Sequence, residues 1–270
     1  MRKGPPLLQP VFDIAKLMVK ETCVPESSPT WLFLSAPLVG LAGVSLASMI
    51  LCQAMWNPGV TFGGDLIVVM YLLALPSLSM ILGAFASQNP LASLGGSREM
   101  KLVLAYELPF VLAVCVPIVS AQSIQLGEIL SVQAVATTVS GVLALFVAVI
   151  AMQARLTRVP FDIPEAECEL GSGVLIEYSG PALAIYKLNQ AMMLFTGPMF
   201  LLFLYGGGIS FSDGWLTAGF GMLKFLGLVT LIVLIRNTAP RLRIDQAMKF
   251  LWGPVTLAAI IALVLAWWGV

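Results

Sequence analysis

Residues 155–181 read RLTRVPFDIPEAECELGSGVLIEYSGP and hold five of the chain's fourteen acidic side chains, Asp162, Glu165, Glu167, Glu169 and Glu177. Apolar runs of about 20 residues, the length that crosses a bilayer, flank this stretch on both sides. So dense an acidic loop in so apolar a chain marks it as the polar feature around which the rest is arranged.

The composition sets the class. Of the 270 residues, 59% are hydrophobic and 10% charged, against about 25% charged in an average soluble domain. Repeated apolar runs with few charges predict an all-α, polytopic transmembrane helical bundle. The expected organisation is a single membrane domain over 1–270. An amphipathic helix at 7–20 precedes four spans within 31–152, the acidic loop at 153–181 and three last spans within 182–268. The seven spans are expected near 31–52, 65–86, 101–121, 131–152, 182–205, 217–236 and 249–268. Pro76 and Pro109 fall inside spans, where proline kinks a helix. The six tryptophans lie near span ends, as interfacial aromatics do.

Residues 7–20 differ in kind. Leu8, Val11, Phe12, Ala15, Met18 and Val19 form one face, and Gln9, Asp13, Lys16 and Lys20 recur on the other. That pattern predicts a helix lying in the membrane interface rather than crossing it, or, as the alternative, packed on a soluble subunit. The start, MRKGPPLLQP, leads into this segment and not into an apolar core, so it does not read as a cleavable signal.

Charge gives an orientation. The loops near 53–64, 122–130 and 206–217 contain no Lys or Arg, whereas every Lys and Arg except Lys224 falls on the other side. The positive-inside rule makes that side cytoplasmic, together with the N-terminus and the acidic loop. A formal net charge of zero excludes a basic field for nucleic acid. With no histidine, and with Cys23, Cys52, Cys115 and Cys168 scattered, the chain has no pattern for its own haem, cluster or zinc. Any metals of a redox process would sit in partner subunits.

Several residues are candidates for chemistry. Glu107 lies about a turn and a half inside its span, and Lys224 lies inside another near its outer end. Charges within a bilayer cost several kcal/mol unless paired or hydrated, so they are functional by default. Snorkelling to the interface is the plainer alternative for both. Asp65 follows Gly63 and Gly64 and reads as a helix cap, while Glu128 and Asp213 read as solvated. In the loop, the residues after Asp162 read as a short helix. Glu165 and Glu169 share one face at i and i+4, with Glu167 turned away. Coupled carboxylates with restricted water should raise at least one pKa and can then pass protons near neutrality. Arg155 and Arg158 beside the loop make a polar site, expected at the face of a soluble partner. The basic segment 236–250, with Arg241, Arg243 and Asp245, reads either as a topology determinant or, with the acidic loop on the same side, as a docking surface for that partner.

Four stretches resemble one family. LLQPVFDIAKLMVKE resembles its amphipathic helix, and GDLIVVMYLLALPSL with SREMKLVLAYELPF resembles its middle spans. TRVPFDIPEAECELGSGVLIEYSG resembles its acidic loop, and Lys224 with IRNTAPRLRIDQAMK its closing segment. The family is the membrane subunit shared by respiratory complex I, where it is the H-type subunit, and the membrane-bound energy-converting nickel–iron hydrogenases.

The resemblance implies an anchor for a soluble electron-transfer arm, coupling its redox chemistry to ion movement through antiporter-like membrane subunits. Glu107, Asp162, Glu165, Glu167, Glu169, Glu177 and Lys224 would belong to the polar path. The chain would bind no cofactor of its own, and the nickel–iron centre and iron–sulfur clusters would lie in the large and small soluble subunits. The run EYSGPALAIYKLNQAM resembles the hydrogenase branch more than the quinone-reducing branch. Family members carry a further span before the amphipathic helix, and Met1 falls near where that span would end. The alternatives are a quinone-chamber subunit of a complex I-like dehydrogenase and a stand-alone secondary transporter. The absence of an internal repeat weighs against the latter.

Overall fold

A computed structural model describes residues 8–131, 135–165, 171–209 and 215–269. Among them the helices are α1 (Gln9–Val19), α2 (Thr30–Trp56), α3 (Asp65–Ala86), α4 (Pro90–Ala121), α5 (Leu126–Ser131) and α6 (Val139–Arg155). They continue with α7 (Gly180–Gly206), α8 (Trp215–Thr238), α9 (Ile244–Phe250) and α10 (Thr256–Trp267). Six helical stretches are long and apolar enough to cross a membrane. A seventh span exists if the sharply bent pair before and within α6 is taken as one broken span. The chain is thus a multi-pass helical bundle.

Lipid removes most of the hydrophobic drive between spans, so close approach of small residues has to hold them together. The bundle is built that way. Ala144, Ala148, Ala151 and Ala154 make the buried stripe of α6, and Ala105, Ala113, Ala259 and Ala262 face inward from α4 and α10. Tyr205 of α7 donates to the Ala113 carbonyl at 2.7 Å, tying two spans through a buried hydrogen bond.

Two lengths position the site. The 17 residues of α6 extend only about 25 Å, less than the ~30 Å hydrocarbon core. Thr138 caps its start by accepting from Gly141 N at 3.1 Å. The region expected as one span at 131–152 is therefore split, and the helix runs on to Arg155. By contrast the 32 residues of α4 extend about 48 Å, so its first turns project beyond the core on the side of the acidic loop. Asn89 caps those turns by accepting from Leu91 N at 2.9 Å, with Pro90 pre-shaped for the first helical position.

The amphipathic α1 rests on α7. Only Ile14 and Leu17 are half-buried by the chain. Phe12, Met18 and Val19 stay exposed, which leaves the wide apolar face available for lipid or a partner. At the other end, Pro254 interrupts regular bonding and a π-turn spans Leu251–Val255. There the Thr256 hydroxyl donates to the Leu251 carbonyl at 2.7 Å. Trp31, Trp56, Trp252, Trp267 and Trp268 are all exposed.

Candidate functional site

The acidic loop is clamped onto the bundle. The turn Gly173–Leu175 packs on α3 and α4. Gly173 has φ +52° and faces the Pro164 carbonyl at a distance no Cβ would tolerate. Gly95 of α4 admits the same carbonyl, since a Cβ there would lie 3.1 Å from Pro164 O and 2.9 Å from Val174 N. Both ends of the loop thus meet α4 through two glycines, and Glu165 is delivered beside it.

Aromatic contacts hold the loop's exit. Tyr178 stacks on Phe33 of α2 with ring centroids 4.1 Å apart and meets Tyr186 edge-on at 4.9 Å. Its hydroxyl donates to the Phe33 carbonyl at 3.1 Å, and that of Tyr186 to the Ser79 carbonyl at 2.9 Å. Each ring pair contributes about 0.5–1.5 kcal/mol beyond burial. Glu177 is half-buried between these tyrosines and the start of α4, where Asn89 Nδ2 donates to its carboxylate.

Glu165 is part-buried and accepts from Gln190 Nε2 of α7. Burial lifts its carboxyl above the ordinary range. Lys187 opposes this most, Asp162 adds to it, and Arg158 and the Gln190 bond oppose it. Glu167, Glu169 and the short helix expected around them lie outside the described residues.

Arg155 is expected at the face of the soluble arm, but the structure places it inside the bundle, 3% exposed. The reason is the course of α6, a central helix that carries its last turn inward. Arg155 Nη2 donates to Glu107 Oε2 at 2.6 Å. Its guanidinium lies over the Phe110 ring at 4.3 Å and the Tyr106 ring at 5.4 Å. Glu107 is therefore an intramembrane acid with a fixed cation, the arrangement that offsets the cost of burying either charge.

The other proposed surface residues divide. Arg241 pairs with Asp162 at 2.7 Å, and Leu242 N donates to the Pro160 carbonyl at 3.0 Å, so the acidic and basic segments are stitched to each other within the chain. Arg158 is half-buried. Arg243 and Asp245 are exposed at the start of α9, where Arg243 N donates to Gln246 Oε1 at 3.3 Å. Lys224 makes no ion pair among the described residues and is exposed on α8, with its Nζ donating to the Gly206 carbonyl at 3.0 Å. Asp65 is the first residue of α3. It accepts from Leu66 N at 2.8 Å and from Leu126 N at 2.9 Å, holding the start of α5.

One acid escapes the sequence reading. Glu99 lies two residues before the expected start of its span, between Arg98 and Lys101, and so reads as part of a solvated run. In the structure α4 has already begun, and Glu99 is completely buried. The usable signal is its spacing, since seven and eight residues before Tyr106 and Glu107 put it on the same helix face. A cavity of about 20 Å³ lies close by, lined among others by Ser77, Arg155, Thr157, Tyr186, Asn189 and Gln190. Arg155 Nε and Nη1 and Asn189 Oδ1 are buried without protein partners. Among the described residues no group of three or more His, Cys, Asp or Glu could hold a metal.

Apolar spans, an exposed amphipathic helix and a clamped acidic loop leading to a buried Arg155 paired with the half-buried Glu107 define a membrane subunit of the respiratory-complex type. The chain belongs to the NADH dehydrogenase family, whose pattern matches residues 1–267. It is 33% identical over 267 residues to the H-type subunit of the NADH-quinone oxidoreductase of Geobacillus thermodenitrificans, covering 96% of this chain and 79% of that one. It is 34% identical over 265 residues to the same subunit of Anoxybacillus flavithermus, covering 94% and 78%. A similar solved structure is a chain of the membrane-bound sulfane sulfur reductase, an archaeal respiratory membrane complex. Its TM-score is 0.85 at 25% identity, covering 98% of this chain and 88% of that one. These relatives are subunits of multi-subunit respiratory membrane complexes.

Proposed function

We propose that this chain anchors a soluble electron-transfer arm to the cytoplasmic membrane and couples its redox reaction to the movement of protons or sodium ions. The observation that carries the reading is the part-buried polar run from Glu165 and Gln190, past the cavity, to the buried Arg155 and its partner Glu107. Such groups are costly among apolar spans and persist where charge must pass or be sensed. Glu107, Asp162, Glu165, Glu167, Glu169, Glu177 and Lys224 are the proposed ion-path and coupling residues, with the loop facing the cytoplasm. Arg158, Arg243 and Asp245 present charge to the arm, and Arg241 does so while holding Asp162.

In this reading the arm is of the energy-converting hydrogenase type. The nickel–iron centre and iron–sulfur clusters lie in its large and small subunits, antiporter-like subunits adjoin in the membrane, and this chain holds no redox centre. The test is ion movement per electron in the purified complex in liposomes. Glu165→Gln and Glu107→Gln, assembled normally, should each lower that ratio about tenfold or more. Normal coupling in both variants would falsify the relay.

A second reading, a quinone-binding subunit, draws on the relatives' names and on an apolar cavity of about 470 Å³ lined by Ile150, Phe161, Ile235, Leu242 and Phe250. Quinone in lipid extracts of the pure complex, with inhibition by quinone-site compounds, would favour it. A co-purifying large subunit with paired C-x-x-C motifs would favour the hydrogenase arm.

A further inference from the structure

Glu99 differs from Glu107 in having no ion-paired cation among the described residues. It is 0% exposed, and neither of its carboxyl oxygens has a hydrogen-bond partner among the described residues. The charged and polar groups facing it are few. Ser77 of α3 lies beside the carboxyl with its hydroxyl turned toward it, and Glu165 of the loop acts on it through space. Tyr106, two turns on, donates to Ser77 Oγ at 3.2 Å and lies between Glu99, Glu107 and Arg155. A bare carboxylate in this setting would be an uncompensated buried ion costing several kcal/mol, whereas the acid form avoids that cost.

The cavity supplies the link. Its ~20 Å³ accommodates one water molecule, which needs ~10–15 Å³ and two to four polar partners. Asn189 Oδ1 and Arg155 Nη1, on residues lining it, are buried atoms otherwise unsatisfied. Gln190, also on its wall, holds Glu165, while Ser77, on the opposite element, leads to Glu99. Glu165 thus reaches the cavity through Gln190 and Glu99 through Ser77, while Glu107 is held to Arg155 on the other flank.

We infer that Glu99 and Glu165 share one exchangeable proton across this cavity, with Glu99 as its buried holding site. The exchange converts Glu165–COOH and Glu99–COO⁻ into Glu165–COO⁻ and Glu99–COOH. The cavity water takes the Glu165 proton and passes one on, and Ser77 Oγ accepts it while releasing its own to Glu99, so no atom or charge is left over. Tyr106 orients the Ser77 hydroxyl and keeps its own proton. This deepens the coupling function proposed above and rests on it.

The experiment pairs spectroscopy with pumping in the intact complex. Infrared spectra of the wild type should contain a deuterium-sensitive carboxylic-acid band that Glu99→Gln removes and Glu99→Asp retains, shifted. Ions moved per electron should fall about tenfold in Glu99→Gln, with partial rescue in Glu99→Asp. Glu165→Gln is measured beside them. If it lowers the ratio and Glu99→Gln does not, coupling stands and the shared proton is wrong. If neither lowers it, both ideas fail. Absence of a Glu99 acid band overturns the inference whatever the pumping shows. Should Glu99→Gln not assemble, Ser77→Ala, which keeps the carboxyl, must still lower the ratio, and a normal ratio there overturns the path.

Discussion

Taking away the Arg155 side chain would leave Glu107 as an intramembrane acid without its cation. The cost should be about 1–3 kcal/mol, because Glu107 is stranded without its buried partner but keeps enough exposure to be partly screened. Arg155→Ala should therefore lower the thermal inactivation midpoint of the complex. The double change Arg155→Met with Glu107→Gln should recover much of the loss, because no charge remains to strand. Arg155→Lys should recover less than the charge alone suggests, since the planar contact with Phe110 is lost. Glu165 makes a prediction in pH. Its carboxyl is raised mainly by burial, so the folded chain binds more protons than the unfolded one in the range above about pH 4.3. Its contribution to stability is complete below that value and is lost as pH rises through the folded value. The unfolding midpoint of the wild type should consequently fall relative to Glu165→Gln as pH rises, and a constant difference would show that Glu165 is not held by burial.

The acidic loop is shaped by two glycines that can be told apart. Gly173 and Gly171 both have positive φ, +52° and +59°. An added methyl at 173 collides with the Pro164 carbonyl, whereas at 171 it meets only Ile176 Cδ1 at 4.0 Å. Gly171→Ala should cost about 1 kcal/mol of conformational strain. Gly173→Ala should cost about 2–3 kcal/mol and also lower coupling, because it moves the residue before Glu165. Thermal midpoints and ion-to-electron ratios check both. The helices themselves are readable in the sequence, since long apolar runs bounded by Gly, Pro and charge have few alternative structures. The split before α6 is not. The apolar run continues through 131–152, and hydropathy does not register that Thr138 starts a new helix by capping it. Missing that split hides the inward course of α6 and hence the burial of Arg155. Glu99 is obscured for the opposite reason, because α4 extends well before its apolar part. Glu107 stands out because it interrupts an apolar run, while Glu99 sits among charges and disappears into them.

At the scale of the whole bundle, charge asymmetry predicts which end faces the cytoplasm. With the four native cysteines replaced by serine, Ser172→Cys in the loop should react with an impermeant thiol reagent only from the cytoplasmic side. Gly59→Cys, in the opposite turn, should react only from the other side. The reverse pattern would invert the topology. The six spans also differ in how they meet the membrane. α8 is the least buried of them, leaning on the bundle through the Phe195–Phe225 contact and the Lys224 hydrogen bond, whereas α7 is both the least apolar and the most enclosed. This difference bears on biogenesis. During translation α8 can leave the translocon for lipid by its own partitioning. The weaker signal of α7, which carries Lys187, Asn189 and Gln190, should make its insertion depend on α2 and α6, the earlier spans it packs against. Insertion of this subunit should then be cooperative at one span, and polar substitutions in α7 should be caught by membrane quality control before any complex is assembled.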